Sequence, residues 1–359
     1  MAPYFRERFG NSASGLHQFG WEAEKAVAEA RKKVAAALGV APFEIYFTSG
    51  ATESNNWALR GVIEQFLLDD PKQAVHVLTS ATEHHSVLTC LEHLKKLMGA
   101  KLELEVVPVN SKGVIELAEL QKRLRPNTRL VSVMWVNNEI GSLQPVEQIG
   151  QWAAEHKIYF HTDATQAMGK IPVDLRKVHC DLLSLSAHKV YGPKGSGLLY
   201  IRGKDPKVRL QPLLLGGGHE RGLRSGTLNV PAIVGMGRAL ELMTERLESD
   251  QRHLLARRQD FFKGLESAGI SYQLNGGSEG VASIANLTFP NAKLGLAFPG
   301  VAYSKGSACH SDQIESSHVL RAIGLTDALA ERSFRFSWGR ETTSQDITNL
   351  ITVLKAQLS

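Results

Sequence analysis

Strand-like and helix-period segments alternate along the first two-thirds of the chain, and that alternation leaves few architectures open. WEAEKAVAEARKKVAAAL has helical apolar spacing and stops at Gly39, and EIYFTSG follows with the make-up of a strand. A helix from about Ala51, the strand AVHVLTS, a helix from about Ser86 and the strand LELEVVPV come next. TRLVSVMWV then leads through VNNEIGSLQP into the helix VEQIGQWAAEH, and the strands IYFHTD, LLSLSA and GLLYIR complete the series. The pattern predicts an α/β fold: a mainly parallel sheet with flanking helices.

A long helical stretch over about 231–267 separates this part from SIANLTF, GVAYSKG, SFRFSWG and SQDITNLITVLKAQL. These short strands and helices predict a smaller α+β unit. The expected division is a large domain over 10–245 and a small one over 246–359, with residues 1–9 packing on the small one.

Composition narrows the functional classes. With 43% apolar and 21% charged residues the chain reads as an ordinary globular protein. The net charge of +5 is not gathered into a basic block with interleaved aromatics, so no direct nucleic-acid binding is expected. No run approaches the roughly 18 apolar residues of a membrane span, and MAPYFRERFG lacks the apolar core of a signal peptide. Cys90, Cys180 and Cys309 lie far apart, which points to reduced thiols in a cytoplasm.

In sheets of this kind ligands sit beyond the carboxyl ends of the strands, where TSGATESNN, TSATEHHS, VNNEIG, HTDATQ and SAHK fall. Gly50 followed by Ala51 and Thr52 reads either as a plain capped helix start or as a phosphate site at a helix N-terminus. Lys189 ends a core strand just before a turn. It is either a solvated loop lysine or an amine kept out of bulk water for chemistry. Asp163 precedes it by 26 residues, room for one crossover between neighbouring strand ends. An aspartate and a lysine so placed could face opposite sides of one flat ring. Pyridoxal phosphate needs that pair, the lysine as a Schiff base and the acid beside the pyridinium nitrogen. The neighbours His84 and His85 do not face one way on a helix and have no third ligand at suitable spacing, so no metal site is expected.

With that pair in view the sequence resembles the cysteine desulfurase family, among the class V aminotransferase-like enzymes of pyridoxal-phosphate fold type I. The resemblance runs from about residue 10 to the C-terminus and rests on FTSGATESNN, TEHHSVL, VNNEIG, HTDATQAMGK, SAHKVYGPKGSG, GGGHERGLRSGT, GSACHSD and RFSWGR, in that order. It implies pyridoxal 5'-phosphate as cofactor and Lys189 as its Schiff-base residue. Asp163 then pairs with the ring nitrogen, Gln166 with the phenolic oxygen, and His84 covers a ring face. Ala51, Thr52, Ser186 and His188 hold the phosphate. Thr227 reaches the cofactor of a neighbouring subunit, which implies a homodimer. Asn138 and Arg335 contact the substrate.

Cys309 lies in YSKGSACHSDQIESS, whose composition is that of an exposed loop, with Lys305 and His310 near enough to favour a thiolate. The resemblance makes it the nucleophile that accepts sulfur, in the manner of the long-loop branch used for iron–sulfur cluster assembly. Cys90 and Cys180 read as structural. The implied reaction converts L-cysteine to L-alanine and loads a persulfide for an acceptor protein, either a cluster scaffold or a tRNA-thiolation carrier. The alternatives are a selenocysteine lyase, which ACHSD suggests, and a weakly active scaffold subunit of a sulfur-transfer complex. The sequence departs from the family in two places. It begins just downstream of an amino-terminal strand with an NATT-like motif, and FPNAKLGLAFPGVAYS is short for the segment before the cysteine.

Overall fold

The computed structural model describes residues 1–305 and 316–358. In chain order it opens with α1 (Pro3–Arg6), α2 (Gln18–Leu38), β1 (Ile45–Thr48), α3 (Ala51–Asp69), β2 (Val75–Ser80), α4 (His85–Met98) and β3 (Leu102–Val107). It continues through α5 (Leu117–Gln121), β4 (Thr128–Ser132), α6 (Val146–Glu155), β5 (Tyr159–Asp163), β6 (Leu182–Ser186) and β7 (Gly197–Ile201). The remainder is α7 (Val230–Ser267), β8 (Gln273–Asn275), β9 (Ile284–Thr288), α8 (His318–Ala322), α9 (Asp327–Ala330), β10 (Ser333–Ser337) and α10 (Ser344–Leu358).

The large sheet has the order β1-β7-β6-β5-β4-β2-β3. Its pairs from β6 to β3 are parallel, while β7 runs antiparallel to both β1 and β6. Helices cover both faces, so the central strands are buried on both sides. On one face Phe47, Val131 and Phe160 pack against α2, α6 and the first half of α7. On the other, Val77, Leu130 and Leu199 pack against α3 and α4 around the fully buried Trp57. The α2–α7 contact is tight because both helices carry small residues there. A Cβ on Gly237 would stand 2.9 Å from Ala30 Cα.

The C-terminal unit is the antiparallel sheet β10-β9-β8 with α10 and the second half of α7. The sequence reading made GVAYSKG a strand of this unit. Among its described residues it contributes one isolated bridge, Ser304 opposite Arg335. The boundary expected near residue 245 falls within α7. Val230 to Met243 of this helix belong to the large core, and Leu254, Phe261 and Leu265 belong to the small one. The first residues also lie elsewhere than expected. Met1 packs on Gly235 of α7 and Tyr4 on the large core, rather than on the C-terminal sheet. No helix of the described residues is long and apolar enough to cross a membrane.

Candidate active site

The carboxyl ends of β4, β5 and β6, the start of α3 and the strand β10 surround a cavity of about 450 Å³. Asp163, Gln166, His84, Ser186, His188, Lys189, Ala51, Thr52, Asn138 and Arg335 all line it. Residues from six separate stretches of sequence thus meet at one place.

At the phosphate-like end, Gly50 precedes the first turn of α3. Gly197 allows a close approach here, since a Cβ on it would stand 2.5 Å from Gly50 Cα. Ser186 Oγ lies against His188 Nδ1 at 2.8 Å. The first amides of a 19-residue helix, two hydroxyl- and imidazole-bearing residues and the nearby Lys194 favour an anion. Glu53 also lines this end, but Arg224 grips its carboxylate through two bonds of 2.7 and 3.1 Å. Burial pushes the Glu53 pKa up, and the bonds from Arg224 and Ser49 more than reverse that.

Asp163 stands at the last position of β5 and is 6% exposed. Asn55 Nδ2 donates to its Oδ2 at 2.8 Å and the Thr165 N–H to its Oδ1 at 2.9 Å. The same Asn55 amide reaches Ser86 Oγ at 2.8 Å, and Ser86 Oγ lies 2.8 Å from His84 Nδ1. The Ser86 backbone N–H donates to that Nδ1 at 3.1 Å, so a neutral His84 ring carries its proton on Nε2. Sequence reasoning found Asp163 and His84 and missed Asn55 and Ser86, which connect them. Both lie inside the quoted motifs TESNN and EHHS, and that was the available signal. Beneath Asp163 on the same strand face, His161 sits between Ser132 Oγ and Ser184 Oγ at 2.8 and 3.0 Å. Burial lowers its pKa to about 4 despite the Asp163 charge, so it is a neutral strut.

Lys189 follows β6 on a 3₁₀ turn, Ala187–Val190. The sequence left Lys189 open between a solvated loop lysine and an amine kept out of bulk water. Lys189 and His188 are both exposed in the single chain, because the turn lifts them off the buried strand to the cavity rim. Gln166 accepts a hydrogen bond from Lys170 Nζ, a residue the sequence reading passed over. Burial, then the charges of Lys189 and Arg335, push the Lys170 pKa down to about 7. Arg335, on β10, donates from Nη1 to the carbonyl of Asn138 at 3.0 Å.

Thr227 is exposed and does not line this cavity. Cys309 lies outside the described residues. The other two thiols are poor nucleophiles. Burial raises the Cys90 pKa to about 11 and pushes that of fully buried Cys180 up further. No group of three or more His, Cys, Asp or Glu placed to hold a metal occurs among the described residues.

The lining fits a flat, phosphorylated, heteroaromatic ring. It offers an anion cup at one end, a buried acid at depth, an imidazole and an amine. Thr165 Oγ1 is in addition a buried hydroxyl with no partner among the described residues. Such an orphan is costly unless a ligand or water meets it.

Comparison with known proteins bears on this arrangement. The family model described as aminotransferase class-V matches residues 1–350. The cysteine desulfurase IscS of Neisseria meningitidis serogroup C is 46% identical over 362 residues, covering all of this chain and 87% of that protein. The mitochondrial cysteine desulfurase of Saccharomyces cerevisiae is 44% identical over 355 residues, covering 98% of this chain and 70% of that one. Among solved structures, a NifS-like protein superposes with a TM-score of 0.88 at 37% identity, covering 99% and 93% of the two chains. A structure described as SspA in complex with cysteine gives 0.83 at 36% identity, covering 95% and 94%.

Proposed function

The chain belongs to the cysteine desulfurase family of the class-V aminotransferases, and from that premise we propose how its residues turn L-cysteine into L-alanine and pass the sulfur on. The observation that carries the reading is the convergence of Asp163, His84, Lys189 and Arg335 on one cavity. Pyridoxal 5'-phosphate, when bound, supplies an electron sink that acidifies the substrate's α-carbon and loosens the bond between the β-carbon and sulfur. The α3 N-terminus at Ala51 and Thr52, with Ser186 and His188, would hold its phosphate. Asp163 would hold its ring nitrogen, Gln166 its phenolic oxygen and His84 one ring face.

Arg335 binds the substrate carboxylate, a task suited to a planar fork, with Asn138 beside it. The Lys189 amine would hold the cofactor, and at Nζ it would accept the substrate's α-proton. Its place on the rim gives the side chain room to swing between these tasks. His84 carries a movable proton at Nε2. The Cys309 thiolate then attacks the substrate sulfur. The substrate's carbon–sulfur bond breaks, a sulfur–sulfur bond forms on Cys309, and protonation at carbon completes alanine. The persulfide passes to an acceptor protein, a cluster scaffold or a tRNA-thiolation carrier.

The proposal extends to a homodimer in which Thr227 serves the phosphate of the other copy. Its exposure, away from its own cavity, suits that role. The reducing cytoplasm suits an enzyme that works through a free thiol.

The test is alanine release from L-cysteine by cofactor-loaded protein with a reductant, beside Cys309→Ala. Alanine from the parent and none from the variant is the expected result. Equal alanine from both would remove Cys309 from the reaction and favour a lyase that needs no protein thiol.

A further inference from the structure

The stretch that carries Cys309 is tied upstream to Arg335 itself and downstream to Glu139, the residue after the Asn138 that accepts the Arg335 guanidinium. Upstream, Ser304 and Arg335 exchange two backbone bonds, Arg335 N–H to Ser304 O at 2.8 Å and Ser304 N–H to Arg335 O at 3.2 Å. Downstream, Ser317 Oγ donates to Glu139 Oε2 at 2.5 Å. Glu139 is one peptide away from the carbonyl of Asn138 that accepts the Arg335 guanidinium. The turn is held from two further sides. Asn137 Oδ1 accepts the Glu139 N–H at 2.8 Å, and Asn286, the register partner of Arg335 on β9, donates to the Glu139 carbonyl at 3.2 Å.

Glu139 is 1% exposed. Burial lifts its pKa, while the Ser317 bond and the facing charges of Arg335, His85 and His84 pull the other way. A carboxyl placed so deeply costs stability that an apolar side chain of the same size would not. Capping the five-residue α8 does not require that cost, because Ser317 already caps that helix through its own oxygen. The position of the carboxyl, between the substrate arginine and the end of the cysteine stretch, accounts for it.

We propose that Glu139 is a positioning residue that ties the downstream end of the Cys309 stretch to the turn orienting Arg335. The inference rests on the roles assigned above to Cys309 and Arg335. Ser317 follows Cys309 by eight residues, a tether that reaches at most about 28 Å when fully extended. Fixing the tether's foot beside the carboxylate grip raises the effective concentration of the thiol at the substrate. A second attachment limits what losing the first can do. The His318 ring lies 4.6 Å from that of His85, and its Nε2–H donates to the Glu83 carbonyl at 2.9 Å.

The test is a single turnover of cofactor-loaded protein with L-cysteine, following the added sulfur on Cys309 by mass spectrometry. Ser317→Ala and Glu139→Ala should each slow its arrival about tenfold, with the double variant no slower than either single one. Glu139→Gln, whose amide oxygen still accepts from Ser317, should keep most of the parental rate. Amide hydrogen exchange over residues 318–323 reads the anchor without chemistry. It should quicken in both alanine variants and not in Glu139→Gln. Parental transfer and exchange in Ser317→Ala, or additive losses in the double variant, would overturn the proposal. If the parent makes alanine with no sulfur on Cys309, the reading of Cys309 fails first, and the anchor loses its purpose whatever the exchange shows.

Discussion

Glu83 shows how a single residue beside the cavity can carry a pH signature. It is fully buried next to His84, with Oε1 accepting the Met134 N–H at 2.7 Å and Oε2 without a partner among the described residues. Burial pushes its pKa well above 4.5, and the Asp163 charge adds to that against the Met134 bond. The folded chain therefore keeps this proton to a higher pH than the unfolded chain does. Its contribution to stability is full below about pH 4.5 and is lost as pH rises towards the folded value. Glu83→Gln keeps the shape without the titration, so its stability relative to the parent should climb as pH rises from 5 to 8. Urea unfolding at several pH values checks this, and parallel pH profiles would refute it. Asn55 is the companion case. Asn55→Ala leaves Asp163 short of a buried donor and should cost about 1–3 kcal/mol in the same assay. Neither role was legible in the sequence, because Asn55 and Asp163 are 108 positions apart. Asp163 was legible because it ends β5, and Lys189 because it follows the end of β6 by three residues.

At the scale of elements, the site is an arrangement of ends: a helix start, three strand ends and a 3₁₀ turn. The strand-to-turn step after β6 puts Lys189 on the rim, and the contact of β7 with the start of α3 puts the anion cup beside it. That contact depends on a missing side chain. In Gly197→Ala the new Cβ would stand 2.5 Å from Gly50 Cα and 2.6 Å from the Leu185 carbonyl. Backbone must shift, at about 1–3 kcal/mol. The α3 amides should then move away from Ser186, and pyridoxal phosphate should bind about tenfold more weakly by absorbance titration. Unchanged affinity would mean that the cup does not depend on this approach. The motif SAHKVYGPKGSG announced a glycine-rich turn, but that its last glycine packs on a loop 147 residues earlier is a fact of the fold.

At the scale of the whole molecule, α7 is the beam that joins the two cores, and Arg335 is delivered to the cavity by the sheet at its far end. Phe261, fully buried on α7, packs on Phe336 and Trp338 at ring separations of 5.5 Å. Phe261→Ala should lower stability by about 3–5 kcal/mol, and the KM for L-cysteine should rise more than kcat falls as β10 loosens. Equal losses in both constants would argue that the small unit does more than hold Arg335. The sequence by itself determined the α/β class, the long helix and the strand-end residues, since periodicity and turn residues are local properties. It also carried the family, through motifs that keep their order along the chain. Only the tertiary structure decided that β7 runs antiparallel, that Met1 and Tyr4 lie on α7 and the large core, and that Asn55 and Ser86 join Asp163 to His84 while Lys170 meets Gln166. Those facts depend on which distant segments pack together, and packing is settled by burial of surfaces whose partners no local pattern names.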